Sequence, residues 1–235
     1  MNRDQQRTLL TKGSIEVEGR VASSSNQALL VNVTLDGVTA QACYKAEAGE
    51  RPLWDFTDGL WRREVAAYEL DTLLGTDLVP TTVARDDAPF GTGSLQWWVD
   101  DNLEDHYFTL RELPEFHEWF AALAAFDVVA NNADRKSGHV LFDATRCWAI
   151  DNGLCFHEQD KLRTVIWEYA GLPVAPELMS RLDEFAEGST GELARYLRAG
   201  ELAAARARAR ALVAHSHYPL PDENGDWPPY PWPLI

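Results

Sequence analysis

The sequence predicts an α+β protein in two lobes, with a sheet-rich first hundred residues carrying one helix and a mainly helical remainder. Three observations predict it. Residues 14–48 run through segments of alternating or β-branched apolar character, the pattern of half-buried strands. From Pro114 the pattern becomes helical, opening with "PEFHEWFAALAAFDVVANN", which has a wide apolar face and no internal breaker. Residues 101–113 lie between these two regimes and read as a hinge.

Within the first lobe, residues 1–100, "IEVEGRV" alternates, "ALLVNVTL" is strand-like, and "VTAQACYKAE" follows a "LDG" turn. The polar stretch "ASSSNQ" joins the first two at hairpin spacing. A helix is expected from about Leu60 to Leu74, with Gly75 as its C-cap. "LVPTTVA" and "GSLQWWVD" read as two further strands around the loop "RDDAPFGTG".

In the second lobe, residues 114–218, two short strand-like pieces, "HVLF" and "CWAI", are joined by "DATR". "PELMSRLDEFAEG" and "TGELARYLRAGELAAARARARALVAHS" are helical again. Arg206, Arg208 and Arg210 recur at spacing two, so they fan around the last helix and read as solvated. The tail, residues 219–235, is rich in Pro and Trp. It is expected to lay its aromatics along the body of the protein, with a polyproline ligand for a partner as the alternative.

Composition narrows the function. With 235 residues the chain buries a substantial core, and 46% apolar with 25% charged residues is ordinary for a globular domain. No apolar run reaches the roughly 18–20 residues of a membrane span, and "MNRDQQRTLLTKGS" lacks the apolar core of a signal peptide, so a cytoplasmic location is expected. The three cysteines (Cys43, Cys147, Cys155) have no CxxC spacing and read as reduced thiols, without a zinc signature. A formal charge of −16 argues against nucleic acid as a partner and against docking on an anionic membrane. The nine tryptophans are scattered and read as packing residues. No HExxH, GxSxG, GxGxxG or GxxxxGK[ST] pattern occurs.

One ordered set of polar residues remains. Transfer of a phosphoryl group from ATP needs a cation on the phosphates and a carboxylate to orient that cation. It also needs a carboxylate for the metal and another to position the attacking hydroxyl. The chain supplies these in order: Lys45 on a strand, Glu64 on the next helix, Asp134 in the polar knot "NNADRKSGH" with His139 five residues on, and Asp151 at the end of "CWAI". A carboxylate at the mouth of a buried strand is costly to leave unpaired and suited to a cation.

These residues carry a resemblance. "RREVAAYELDTLLGTDLVPTTV", "GSLQWWVDD", "NNADRKSGHVL" and "WAIDNGLCF" resemble the motifs of the phosphatidylinositol 3-/4-kinase-like superfamily, the type II phosphatidylinositol 4-kinases in particular, and an actinobacterial family of kinase-like proteins. The resemblance spans roughly residues 14–175 and implies a bilobal protein-kinase-like fold that binds ATP with magnesium. It further implies that Lys45 holds the α- and β-phosphates with Glu64 as its partner, while Cys43, on the same strand face, packs on adenine. The loop containing Ser24 and Ser25 would cover the phosphates, and Gln96, Trp98 and Val99 would form the adenine hinge. Asp134 would orient the acceptor hydroxyl, and Asp151 would bind the metal.

His139 stands where the family pattern has a metal-binding asparagine. Magnesium prefers oxygen ligands and imidazole suits softer ions, so the departure leaves three readings: one metal through Asp151 alone, a preference for manganese, or nucleotide binding without turnover. A phosphoinositide acceptor is the literal implication. The acidic charge and the absence of a basic amphipathic helix favour a protein hydroxyl or a small cytosolic metabolite instead. Nucleotidyl transfer by the same carboxylates is a further alternative, as is a pseudokinase or nucleotide-sensing module.

Overall fold

Strands β1 (Ser14–Arg20), β2 (Ala28–Leu35) and β3 (Val38–Ala46) form an antiparallel meander, which β4 (Thr82–Arg85) and β5 (Gly93–Trp97) complete in the spatial order β1-β2-β3-β5-β4. The structure, a computed structural model, describes residues 1–21, 27–102, 104–225 and 228–235. Ser24 and Ser25 therefore lie outside the described residues. The β2–β3 register pairs Leu35 with Val38 across Asp36-Gly37, both at positive φ (50° and 79°), the two-residue hairpin that an Asp-Gly pair favours.

Helix α1 (Arg3–Lys12) precedes the sheet and was not foreseen from the sequence. Its signal is an Asn2/Gln5 capping box: the Gln5 N–H donates to Asn2 Oδ1 (2.9 Å) and the Asn2 N–H to Gln5 Oε1 (3.1 Å). Its buried residues, Leu9 and Leu10, join Val31, Val33, Tyr44 and Leu95 in a small core on one face of the sheet.

Helix α2 (Leu60–Leu74) ends at Gly75 in the left-handed conformation (φ 57°), as its sequence predicts. It touches β4 and β5, and also α4 (His117–Ala130) and α5 (Pro176–Glu187). Ala66, Ala67, Leu70 and Leu74 belong to the larger core, together with Phe120, Phe126, Leu182 and Leu212. Leu212 comes from α6 (Ala199–His215). The expected hinge contains a short helix, α3 (Tyr107–Leu110), whose Tyr107 and Leu110 are also buried in that core.

The strand-like pieces form a two-stranded ribbon, β6 (Val140–Phe142) and β7 (Cys147–Ala149), with Val140 opposite Ala149. The long helical stretch after Thr190 is broken at Tyr196–Arg198 into a short 3₁₀ turn and α6. The reading of the α6 arginines as solvated holds for Arg210, whose side chain is 51% exposed, and is corrected for the half-buried Arg206 and Arg208. Arg206 donates to the carbonyls of Ala186 (2.9 Å) and Gly188 (2.6 Å), and Arg210 to that of Ala186 (2.8 Å). Arg208 turns the other way, to the Val129 carbonyl (3.0 Å). Helices end with unpaired carbonyls, and these guanidinium groups satisfy them at the ends of α5 and α4.

The tail lies against the body. The Pro229 carbonyl accepts from the Thr164 N–H (3.1 Å) and from Trp167 Nε1–H (3.1 Å), and the Leu234 carbonyl from the Ser137 N–H (2.8 Å). Its aromatics among the described residues are exposed, Tyr230 at 44% and Trp232 at 87%, and these hydrogen bonds run through main-chain carbonyls. Among the described residues no helix is long and apolar enough to cross a membrane.

Candidate active site

A cavity of about 240 Å³ opens between the sheet and the helical lobe, and Lys45, Glu64, Asp134 and Asp151 all line it. Four segments separate in sequence deliver them: β3, α2, the turn after α4, and the turn after β7, where Asp151 is the second residue. Alternation along β3 sends Tyr44 into the small core and Lys45 to the opposite face.

Lys45 Nζ donates to Asp151 Oδ1 at 2.8 Å and forms a second ion pair with Glu64 Oε1. Burial alone would push the lysine toward its neutral form, but the two carboxylates outweigh it and hold its pKa above the ordinary value. Asp151 is shifted the other way, well below the usual carboxylate range, chiefly by the Lys45 charge. Its backbone is left-handed (φ 57°) and its side chain is 42% exposed, with Oδ1 bonded to Lys45 and Oδ2 facing the His139 ring.

Glu64 uses its second oxygen to accept the Asn152 N–H at 3.0 Å. Asn152 and Asp134 are in turn held by a charged network that the sequence did not reveal. Arg135, fully buried, donates from Nε to Asp127 Oδ2 (3.0 Å), from Nη2 to Asn152 Oδ1 (2.6 Å) and from Nη1 to the Ile150 carbonyl (2.8 Å). Asp127 is buried in α4. One guanidinium thus joins α4, the loop bearing Asp134 and the turn bearing Asp151. The only sequence signal was the adjacency of Arg135 to Asp134, which does not name its partners.

Asp134 has its N–H bonded to Asn132 Oδ1 (2.9 Å), so the Asn132 amide oxygen is committed to the loop. Burial raises the pKa of Asp134, against the opposing charge of Lys136, whose Nζ lies 3.1 Å from Asp134 Oδ2. Lys136, two residues beyond Asp134, is a further cation at the site that the sequence reading passed over.

His139 Nε2 lies 3.4 Å from Asp151 Oδ2. Burial lowers the His139 pKa to about 4, assisted by Arg135, Lys136 and Lys45 and opposed by Asp151, so the ring is neutral at pH 7. Its Nδ1 faces the Lys136 N–H at 3.5 Å, an arrangement that assigns the ring proton to Nε2, toward Asp151.

The residues expected to meet adenine do not line this cavity, although Cys43 shares the face of β3 with Lys45. Cys43 pairs with Gln96 in the β3–β5 ladder, and neither lines it. The Gln96 amide donates to Thr82 Oγ1 (2.9 Å), and the Trp98 N–H to the Gln41 carbonyl (3.2 Å), so both donors are engaged within the sheet. Val99 is buried just beyond β5.

Among the described residues no three His, Cys, Asp or Glu side chains converge as a preformed metal cage. Magnesium is commonly held by one or two carboxylates with the remaining oxygens supplied by substrate phosphates. Asp151 and Asp134 opening into one cavity beside a lysine fit that donor set.

The α+β architecture, a sheet-rich first part followed by a helical second part, is that of protein-kinase-like folds. Solved structures agree at the level of the fold. Hydra Fam20, solved with a sugar, superposes with a TM-score of 0.56 at 13% identity, covering 88% of this chain and 86% of that one. The proinflammatory kinase CtkA of Helicobacter pylori gives a TM-score of 0.51 at 10% identity, covering 89% and 94%. The chain belongs to the family of Protein Rv2133c of Mycobacterium tuberculosis, to which it is 36% identical over 272 residues, covering 99% of this chain and 96% of that protein. No protein-family model matches the sequence.

Proposed function

We propose that this protein is an ATP- and metal-dependent phosphotransferase that acts on a protein hydroxyl or a small metabolite. The observation that carries the reading is the position of Lys45, held between Glu64 and Asp151 at the wall of a cavity that also contains Asp134. In this reading Lys45 binds the nucleotide's phosphates and Glu64 keeps its ammonium directed into the cleft. Asp151, with Asp134 nearby, holds the divalent metal, which neutralises phosphate charge when bound. Asp134, its pKa raised by burial, orients the acceptor hydroxyl and takes its proton. Lys136 offsets negative charge on the group being transferred.

Cys43, Gln96, Trp98 and Val99 would form the adenine side, with Val99 the member whose main chain follows the last ladder pair of β5. A phosphoinositide acceptor, the literal implication of the sequence resemblance, is less favoured. The chain's net charge is −16, and three of the arginines of its only basic run are committed to helix ends.

A second reading is a nucleotide-binding module without turnover. It is favoured by His139, which presents a neutral ring to Asp151 where an oxygen ligand is expected. Calorimetric titration of ATP with magnesium, with manganese and with neither, beside Asp151→Ala, tests the nucleotide site. Metal-dependent micromolar binding that is lost in the variant supports it, and no binding under any condition overturns it. Turnover of bound ATP then separates the two readings.

A further inference from the structure

We infer that Arg63 and Glu201 are positioning residues that hold α2 so that Glu64 stays engaged with Lys45 and with the Asn152 main chain. The inference deepens the proposed nucleotide site, and rests on it for what the positioned cluster does.

Arg63 directly precedes Glu64, and its side chain is only 5% exposed. Its Nη2 donates to Glu201 Oε1 at 2.6 Å and its Nη1 to the Cys155 carbonyl at 2.6 Å, and the guanidinium lies over the Phe56 ring at 5.3 Å. Glu201, 8% exposed, uses Oε2 to accept the N–H of Arg198, the N-cap of α6. Adjacent residues of one turn of α2 therefore grip both ends of the segment after Asp151. Glu64 takes Asn152 and Arg63 takes Cys155, while Arg63 also reaches α6.

The apolar contacts of α2 leave its position along and about its own axis less sharply defined, because packing is non-directional. The Arg63 bonds are directional. A rotation that withdraws Glu64 from Lys45 pulls Arg63 off Glu201 and leaves two buried charges without their counter-ion, with only the Arg198 N–H on Glu201 and neutral oxygens for Arg63, which is disfavoured. The Lys45–Glu64 pair is thereby a standing feature of the fold, with no swing of α2 needed to form it.

The test compares Glu201→Gln with the doubly apolar variant Arg63→Leu/Glu201→Leu, because replacing both members of a buried pair restores stability more readily than replacing one. Three quantities are measured: the thermal midpoint, amide hydrogen exchange at Asn152, and the affinity for ATP with magnesium. The expected result is at least tenfold faster exchange at Asn152 and at least tenfold weaker nucleotide binding in Glu201→Gln. In the double variant both defects persist although the thermal midpoint recovers. Exchange within twofold of wild type in the double variant, or recovery of exchange and affinity together with stability, overturns the inference and reduces the pair to a stabilising contact. If Glu201→Gln does not fold, the double variant alone decides. If wild type binds no ATP, the nucleotide reading falls while the Asn152 exchange still decides the positioning.

Discussion

Lys45 on β3 and Asp151 after β7 lie 106 positions apart in the chain, yet Nζ meets Oδ1 at 2.8 Å. This contact joins the sheet to the helical lobe at the cavity that Lys45, Glu64, Asp134 and Asp151 line. Replacing Lys45 with Ala removes the cation that Glu64 and Asp151 face, while leaving the cores intact. Metal-dependent ATP binding, measured by calorimetry, is expected to be lost in Lys45→Ala and in Asp151→Ala alike, with circular dichroism unchanged. Two variants that bind like wild type would remove these residues from the site.

His139→Asn exchanges a neutral ring for an amide that offers both an oxygen and an N–H to Asp151. If the protein turns over ATP, magnesium-dependent activity is expected to be retained or to rise, and any preference for manganese to shrink. A large loss of activity would mark His139 as a specialised group that asparagine cannot replace.

Burial, opposed by the Lys45 charge, pushes the Cys43 thiol up to about 11. The thiolate is the reactive form, so alkylation by iodoacetamide at pH 8 is expected to be about two orders of magnitude slower than for an unperturbed cysteine. The rate should climb as pH approaches 11. Mass spectrometry of the Cys43 peptide measures it, and bound ATP is expected to slow it further. Rapid labelling at pH 7 would contradict the burial.

Asp127 and Arg135 are both fully buried, and Arg135 links three segments of the site. Asp127→Ala leaves that guanidinium without its carboxylate, and a loss of about 3–5 kcal/mol is expected in urea unfolding. A loss below about 1 kcal/mol would mean that the network has a replacement partner.

The tail bonds to the loop that carries Asp134 and to the neighbouring segment that bridges to it at Arg135 and Thr164. Deleting residues 228–235 removes the acceptors for the N–H groups of Ser137 and Thr164. Hydrogen exchange at these two amides is expected to accelerate, with stability falling by about 1–3 kcal/mol for each donor left buried and unpaired. Unchanged exchange would show that water replaces the tail without cost.

The sequence by itself determined the local elements. Apolar periodicity marked the strands and helices, Asp36-Gly37 set a hairpin, and Gly75 ended α2, because each depends on residues within a few positions of one another. The two-lobed α+β class followed from their order. The ordered set Lys45, Glu64, Asp134 and Asp151 was also legible, since each residue sits on a recognisable element. Helix α1 had a readable Asn2/Gln5 cap, but its net apolar signal was weak.

Only the tertiary structure decided the partners. Arg135 with Asp127 and Asn152, Arg63 with Glu201, and the α6 arginines with the carbonyl ends of α4 and α5 are choices made across long stretches of chain. A charged side chain carries no mark of which distant opposite charge or unpaired carbonyl it will meet. Packing brings those groups within 3 Å of each other, and the cost of burying a charge alone makes the meeting obligatory.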